Sequence, residues 1–159
     1  MTDKVMLSSS AEQTRALGAM LAQSLLSGDV ILLSGDLGAG KSEFARGIAF
    51  GLGVQGPVTS PTFTLLNIHQ TKHGFPLYHF DWYRIQDAEE LLLAGLDEFI
   101  GGEGITLIEW HERAKELVPS RNLEITIRPL DEYNREFILR PAGGFRTLVF
   151  NGLPREWKL

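Results

Sequence analysis

Val30-Ile31-Leu32-Leu33, with Gly35-Asp36-Leu37-Gly38-Ala39-Gly40-Lys41-Ser42 close behind it, is the stretch on which the reading of this chain turns. From Gly35 to Ser42 it fits G-x-x-x-x-G-K-[ST], the phosphate-binding P-loop. The apolar run ahead of it suits a buried parallel strand, and residues 43–51 suit a helix. Strand, loop and helix is the context the motif requires. The glycines let the backbone turn sharply. The inward N–H groups and the positive end of the helix dipole then bind phosphate oxygens. Lys41, read as a solvent-facing charge on the loop, would reach the β- and γ-phosphates, and Ser42 would place its hydroxyl on Mg²⁺.

The chain's 159 residues are enough for one domain with a real core and too few for two comfortable ones. A net charge of −5 argues against broad nucleic-acid binding by charge alone. With no cysteine, disulfides and cysteine-bearing zinc sites are excluded and a reducing compartment is compatible. The first residues lack the apolar core of a signal peptide, and no segment approaches a membrane span. The expectation is a cytoplasmic protein.

Outward from the loop, Ser9 with Glu12 and Ser10 with Gln13 have capping-box spacing, which predicts a helix that stops at Gly28. Beyond the P-loop helix, residues 56–61 break regular structure. Residues 62–66 and 76–80 read as the strands of a hairpin around a polar stretch at 70–74. A helix over 87–94, a buried strand over 105–108 and a short helix over 112–117 follow. Strands over 123–127 and 136–139 close the sheet, with a further strand expected over 147–150.

A P-loop needs a second acid for the Mg²⁺ shell. Glu109, at the end of the apolar run from Ile105, fits that place. Asp81 ends another apolar run, with Arg84 three residues on. The pair is either a metal- or water-orienting acid with a phosphate-stabilising arginine, or a surface ion pair of little energetic worth. Ser60, Thr62 and Thr64 follow the P-loop helix where switch loops sit in NTPases, and equally suit turn capping. His69 and His73 are four apart with His79 nearby, but Gly74 and Pro76 argue for a loop and no cysteine assists, which disfavours zinc. Trp82, Trp110, Tyr78 and Tyr83 either stack on a base or fill the core. No N-K-x-D run supports GTP, so ATP is the expected nucleotide.

Four blocks occur in one order: the P-loop, Ser60-Pro61-Thr62-Phe63-Thr64-Leu65, Tyr78-His79-Phe80-Asp81-Trp82-Tyr83-Arg84, and Leu107-Ile108-Glu109-Trp110. Together they resemble the TsaE (formerly YjeE) family of bacterial P-loop ATPases, from about Ser10 to about Leu139. The resemblance implies an α/β, P-loop NTPase-like sheet, mixed parallel and antiparallel and flanked by helices. It implies one ATPase domain over residues 1–159, with 141–159 unassigned. It further implies an ATP- and Mg²⁺-dependent subunit for threonylcarbamoyladenosine formation on tRNA. Such a subunit works with TsaB and TsaD, and touches tRNA only through that complex.

By the same resemblance, Lys41 and the backbone of Leu37, Gly38, Ala39, Gly40 and Ser42 bind phosphates. Ser42 and Glu109 serve Mg²⁺. Thr62 lies in the switch-like segment, Asp81 supports hydrolysis, Arg135 lies near the adenine, and Ser10 lies close to the nucleotide. This chain departs from the pattern at Ser42 and Glu43, where threonines are usual. His111 stands in place of a proline and Trp82 in place of a leucine. Two other readings of a P-loop chain are a small-molecule kinase, which would need an arginine-bearing lid, and a nucleotide sensor with negligible turnover.

Overall fold

In the computed structural model, which describes residues 3–36, 38–61, 63–146 and 148, the apolar run forms strand β2 (Val30–Ser34) at the middle of a seven-stranded sheet. Its neighbours are β5 (Ile105–Glu109) and β6 (Asn122–Pro129), both parallel to it. The strand β4 (Pro76–Asp81) runs parallel on the far side of β5. Antiparallel strands finish both edges, β3 (Leu66–Gln70) beside β4, and β7 (Arg135–Ala142) with β1 (Lys4–Ser8) beyond β6. The full order is β1-β7-β6-β2-β5-β4-β3, a mixed sheet as expected.

Helices cover both faces. Because side chains alternate along a strand, Ile31 and Leu33 meet one layer while Val30 and Leu32 meet the other. The first layer is α1 (Ala11–Ala22) and α2 (Lys41–Gly51), whose Leu17, Leu21, Phe44 and Ile48 join the larger core. The second is α3 (Ala88–Leu93) with 3₁₀ turns at Leu96–Phe99 and His111–Leu117, packed on Phe80, Trp82 and Ile108. The two helices of the first layer approach at backbone distance. A Cβ on Gly18 would sit 2.5 Å from the Phe44 carbonyl oxygen, and one on Gly47 would collide with the Arg15 carbonyl.

Three expectations are corrected. The first helix ends at Ala22, not Gly28, and Leu25 is buried in the turns that follow. The hairpin strand is Leu66–Gln70 rather than 62–66, because Leu65 takes a left-handed φ of 67° and Phe63-Thr64 form a turn. Helix over 112–117 becomes a 3₁₀ segment broken at Ala114. The edge strand β1 and the turn at Leu96–Phe99 were not expected. The strand proposed over 147–150 lies outside the described residues except for Leu148, which is buried. Among the described residues no helix is long and apolar enough to cross a membrane.

Candidate functional site

Ligands of open parallel sheets collect at the carboxyl ends of the strands. Here that end holds the glycine loop between β2 and α2. Gly40 caps α2 at φ 112°, a conformation side chains resist. Gly35 passes so close to β6 that a Cβ would stand 2.7 Å from the Ile127 carbonyl oxygen. The Ala39 N–H donates to the Asp36 carbonyl at 3.0 Å, and the Phe44 N–H to Gly40 at 3.0 Å, so the loop runs directly into the helix. Ser42 is exposed on the first turn.

Lys41 is not solvent-facing. It is the first residue of α2 and only 6% exposed, with Nζ 4.0 Å from the centre of the Trp110 ring. The stem is packed among neighbours and the ammonium sits on an aromatic face, an attractive arrangement for a cation. Trp110 presents that face because it leaves β5 in the left-handed conformation, φ 61°.

The two acids come from adjacent strand ends. Asp81 of β4 and Glu109 of β5 are register partners, and each is 4% exposed. Asp81 Oδ1 accepts from the Tyr83 N–H at 2.9 Å, and Oδ2 from the Ser60 hydroxyl at 3.3 Å. Glu109 Oε2 lies 2.7 Å from His79 Nε2. Both acids open on a cleft of about 400 Å³ that Gly38, Gly40, Lys41, Ser42, Ser60, Tyr83 and Trp110 complete. The guanidinium of Arg84 lies 4.2 Å over the exposed Phe63 ring.

Ser10 and Arg135 meet in a second cleft of about 200 Å³, which shares Gly40 and Glu43 with the first and adds Tyr133. The Ser10 hydroxyl caps α1 by accepting from the Gln13 N–H at 3.1 Å. Arg135 Nε donates to the Ala39 carbonyl at 3.1 Å, and its Nη1 to the Asp131 carbonyl at 2.9 Å, tying the β6–β7 loop to the glycine loop. That loop is organised by Asp131. The Asn134 side chain, then the Asn134 and Tyr133 N–H groups, hold its carboxyl below the usual range. Leu37 and Thr62 lie outside the described residues.

The departures also acquire geometry. Glu43 is bridged by Arg15 at 2.6 Å and Arg46 at 2.9 Å, and Arg46 Nε donates to the Val58 carbonyl at 3.3 Å. The charge beside the loop is therefore neutralised locally, and it ties α1 to the segment leading to Ser60. His111 reaches Glu124 of β6 at 3.3 Å. Trp82 fills the core, whereas the rings of Tyr83 and Trp110 meet tilted, centroids 4.9 Å apart, on the cleft wall. Arg121 faces Asp29 and Arg128 pairs with Glu136, so neither forms part of a kinase-like lid. A larger hollow, about 820 Å³ between α1, α2 and residues 54–59, lies away from the two acids and the P-loop lysine. Chemistry therefore favours the smaller cleft. Sequence reasoning missed Tyr133 and the His79 contact; only the nearness of His79 to Asp81 in one block hinted at the latter.

A P-loop and two strand-end acids thus line one cleft, with an arginine from β7 in the cleft beside it. The model of the threonylcarbamoyl adenosine biosynthesis protein TsaE family matches residues 8–137. This chain belongs to the TsaE family. The TsaE of Bacillus subtilis is 40% identical over 146 residues, covering 91% of this chain and 90% of that protein. That of Treponema pallidum is 41% identical over 131 residues, covering 82% and 95%. Both are named tRNA threonylcarbamoyladenosine biosynthesis proteins. The crystal structure of Bacillus subtilis YdiB superposes with a TM-score of 0.76 at 34% identity, covering 89% of this chain and 87% of that one.

Proposed function

We propose that this TsaE-family chain binds and hydrolyses ATP with Mg²⁺ in the cleft between α2 and the ends of β4 and β5. In this reading it serves threonylcarbamoyladenosine formation on tRNA in the cytoplasm, with TsaB and TsaD as partners. The observation that carries the reading is the convergence of Lys41, Ser42, Asp81 and Glu109 on one cleft in a chain of this family. The loop backbone around Gly38, Ala39 and Gly40 cradles the phosphates, and Lys41 swings from Trp110 to their oxygens. Arg135 and Tyr133 flank the nucleoside end beside Ser10.

The residues fit a hard cation. The Ser42 hydroxyl and the Glu109 carboxylate are oxygen donors of the kind Mg²⁺ takes. Among the described residues no group of three or more His, Cys, Asp or Glu could hold a metal unaided, so phosphate and water oxygens would complete the shell. Bound there, Mg²⁺ would neutralise charge on the β- and γ-phosphates. Asp81, braced by the Tyr83 N–H and the Ser60 hydroxyl, orients the attacking water. Its tie to Ser60 supports a link by which the γ-phosphate would act on the segment that follows the P-loop helix. Thr62 belongs to that segment and Phe63, 80% exposed, offers a surface to a protein partner.

Phosphate release from ATP, measured for the chain alone and with TsaB and TsaD, tests this reading. Turnover that needs the partners supports it. Binding without turnover under every condition would make the chain a sensor. Thr62→Ala should keep ATP binding and blunt the difference in partner affinity between ATP and no nucleotide.

A further inference from the structure

His79 occupies a position that packing alone would give to a hydrocarbon. It lies on β4 between Leu77 and Asp81, on the face shared with Leu107 and Glu109 of β5, and is 2% exposed. Leu77 and Leu107 both belong to the larger core. Burying an imidazole among such residues costs free energy unless it is bonded. Among the described residues its hydrogen bond is the 2.7 Å contact from Nε2 to Glu109 Oε2. Nδ1 is buried without a partner among the described residues.

The structure assigns His79 a role as the residue that positions Glu109, and we propose that it acts on Mg²⁺-nucleotide binding through that carboxylate. The proposal rests on the reading of Glu109 as the acid of the metal shell. Nε2–H donates to Oε2 and thereby fixes the rotation of the carboxylate. Glu109 also lines the cleft, and in this reading its second oxygen, Oε1, serves the metal shell. Without the donor, a carboxylate that is 4% exposed has an oxygen facing a largely apolar layer and no group that selects its rotamer. Partners behind a ligating group commonly change metal affinity by about 10–100-fold when removed. The same logic applies here, with the carboxylate as ligand and the histidine behind it.

The test compares His79→Gln, His79→Asn and His79→Leu with Glu109→Gln and the parent. The readout is calorimetric affinity for a non-hydrolysable ATP analogue, with Mg²⁺ and with a chelator. Gln carries an amide N–H about where Nε2 stands, Asn stops short of it, and Leu has no donor. The expected result is that Leu and Asn lose about tenfold or more of the Mg²⁺-dependent gain in affinity. Gln should recover most of it, and all three should keep the chelated affinity. Gln and Asn are both polar and similar in size, so their comparison stands even where Leu fails to fold. Equal Mg²⁺ dependence in Gln and Asn would overturn the proposal and leave His79 a packing residue. An unchanged Mg²⁺ dependence in Glu109→Gln would instead overturn the metal reading of Glu109, and the proposal with it.

Discussion

Replacing Lys41 with Ala separates what this residue does for the fold from what it does for the ligand. In the free protein its ammonium lies 4.0 Å from the Trp110 ring centre and the residue is 6% exposed. Losing a largely desolvated cation–π contact costs up to about 2 kcal/mol, partly offset because a buried charge is also removed. The folded state should therefore survive with a modestly lower melting temperature. The ligand loses a charge-assisted bond worth about 1.5–3 kcal/mol. At about 1.4 kcal/mol per tenfold, this weakens ATP binding by about 10–150-fold. Lys41→Met, which keeps most of the apolar stem, should match the affinity loss and restore part of the stability. Calorimetry with ATP and a thermal melt measure the two quantities on the same samples. Parent-like ATP affinity in either variant would refute the P-loop reasoning.

Asp81→Asn should leave nucleotide affinity near the parent's and reduce phosphate release, checked by calorimetry and a phosphate assay on one preparation. Gly47→Ala forces a Cβ into the Arg15 carbonyl and should cost about 1–3 kcal/mol, read as a lower urea midpoint. Burial, aided by His79, holds the His69 imidazole below its ordinary range. A lowered histidine pKa means the unfolded chain binds more protons between the folded and unfolded values. Stability should therefore rise with pH up to about 6.5. His69→Gln should flatten that part of the profile in urea titrations across pH, and an unchanged slope would remove His69 as its source.

The parts of the fold legible in the sequence were those with strong local signals. The glycine spacing and the run from Val30 located the loop, its strand and its helix. The apolar run ending at Glu109 located the second acid. β1 was not legible because Lys4–Ser8 has no alternation of its own and forms only by pairing with β7, at the other end of the chain. β3 was displaced because Phe63 and Leu65 look like strand residues, whereas Leu65 adopts a positive φ and the edge strand accepts Asn67 and Gln70. In the site, residue types and order marked Lys41, Asp81 and Glu109. Burial of Lys41 and the contact of His79 with Glu109 depend on how strand ends meet, which no local pattern records.

The most direct measurement of the central claim is the threonylcarbamoyladenosine content of tRNA from bacteria depleted of their own TsaE and supplied with this chain. The parent chain should restore the modified nucleoside, while Lys41→Ala and Asp81→Asn, expressed to the same level, should not. Full restoration by Lys41→Ala, or none by the parent alongside TsaB and TsaD from its own source, would contradict the claim.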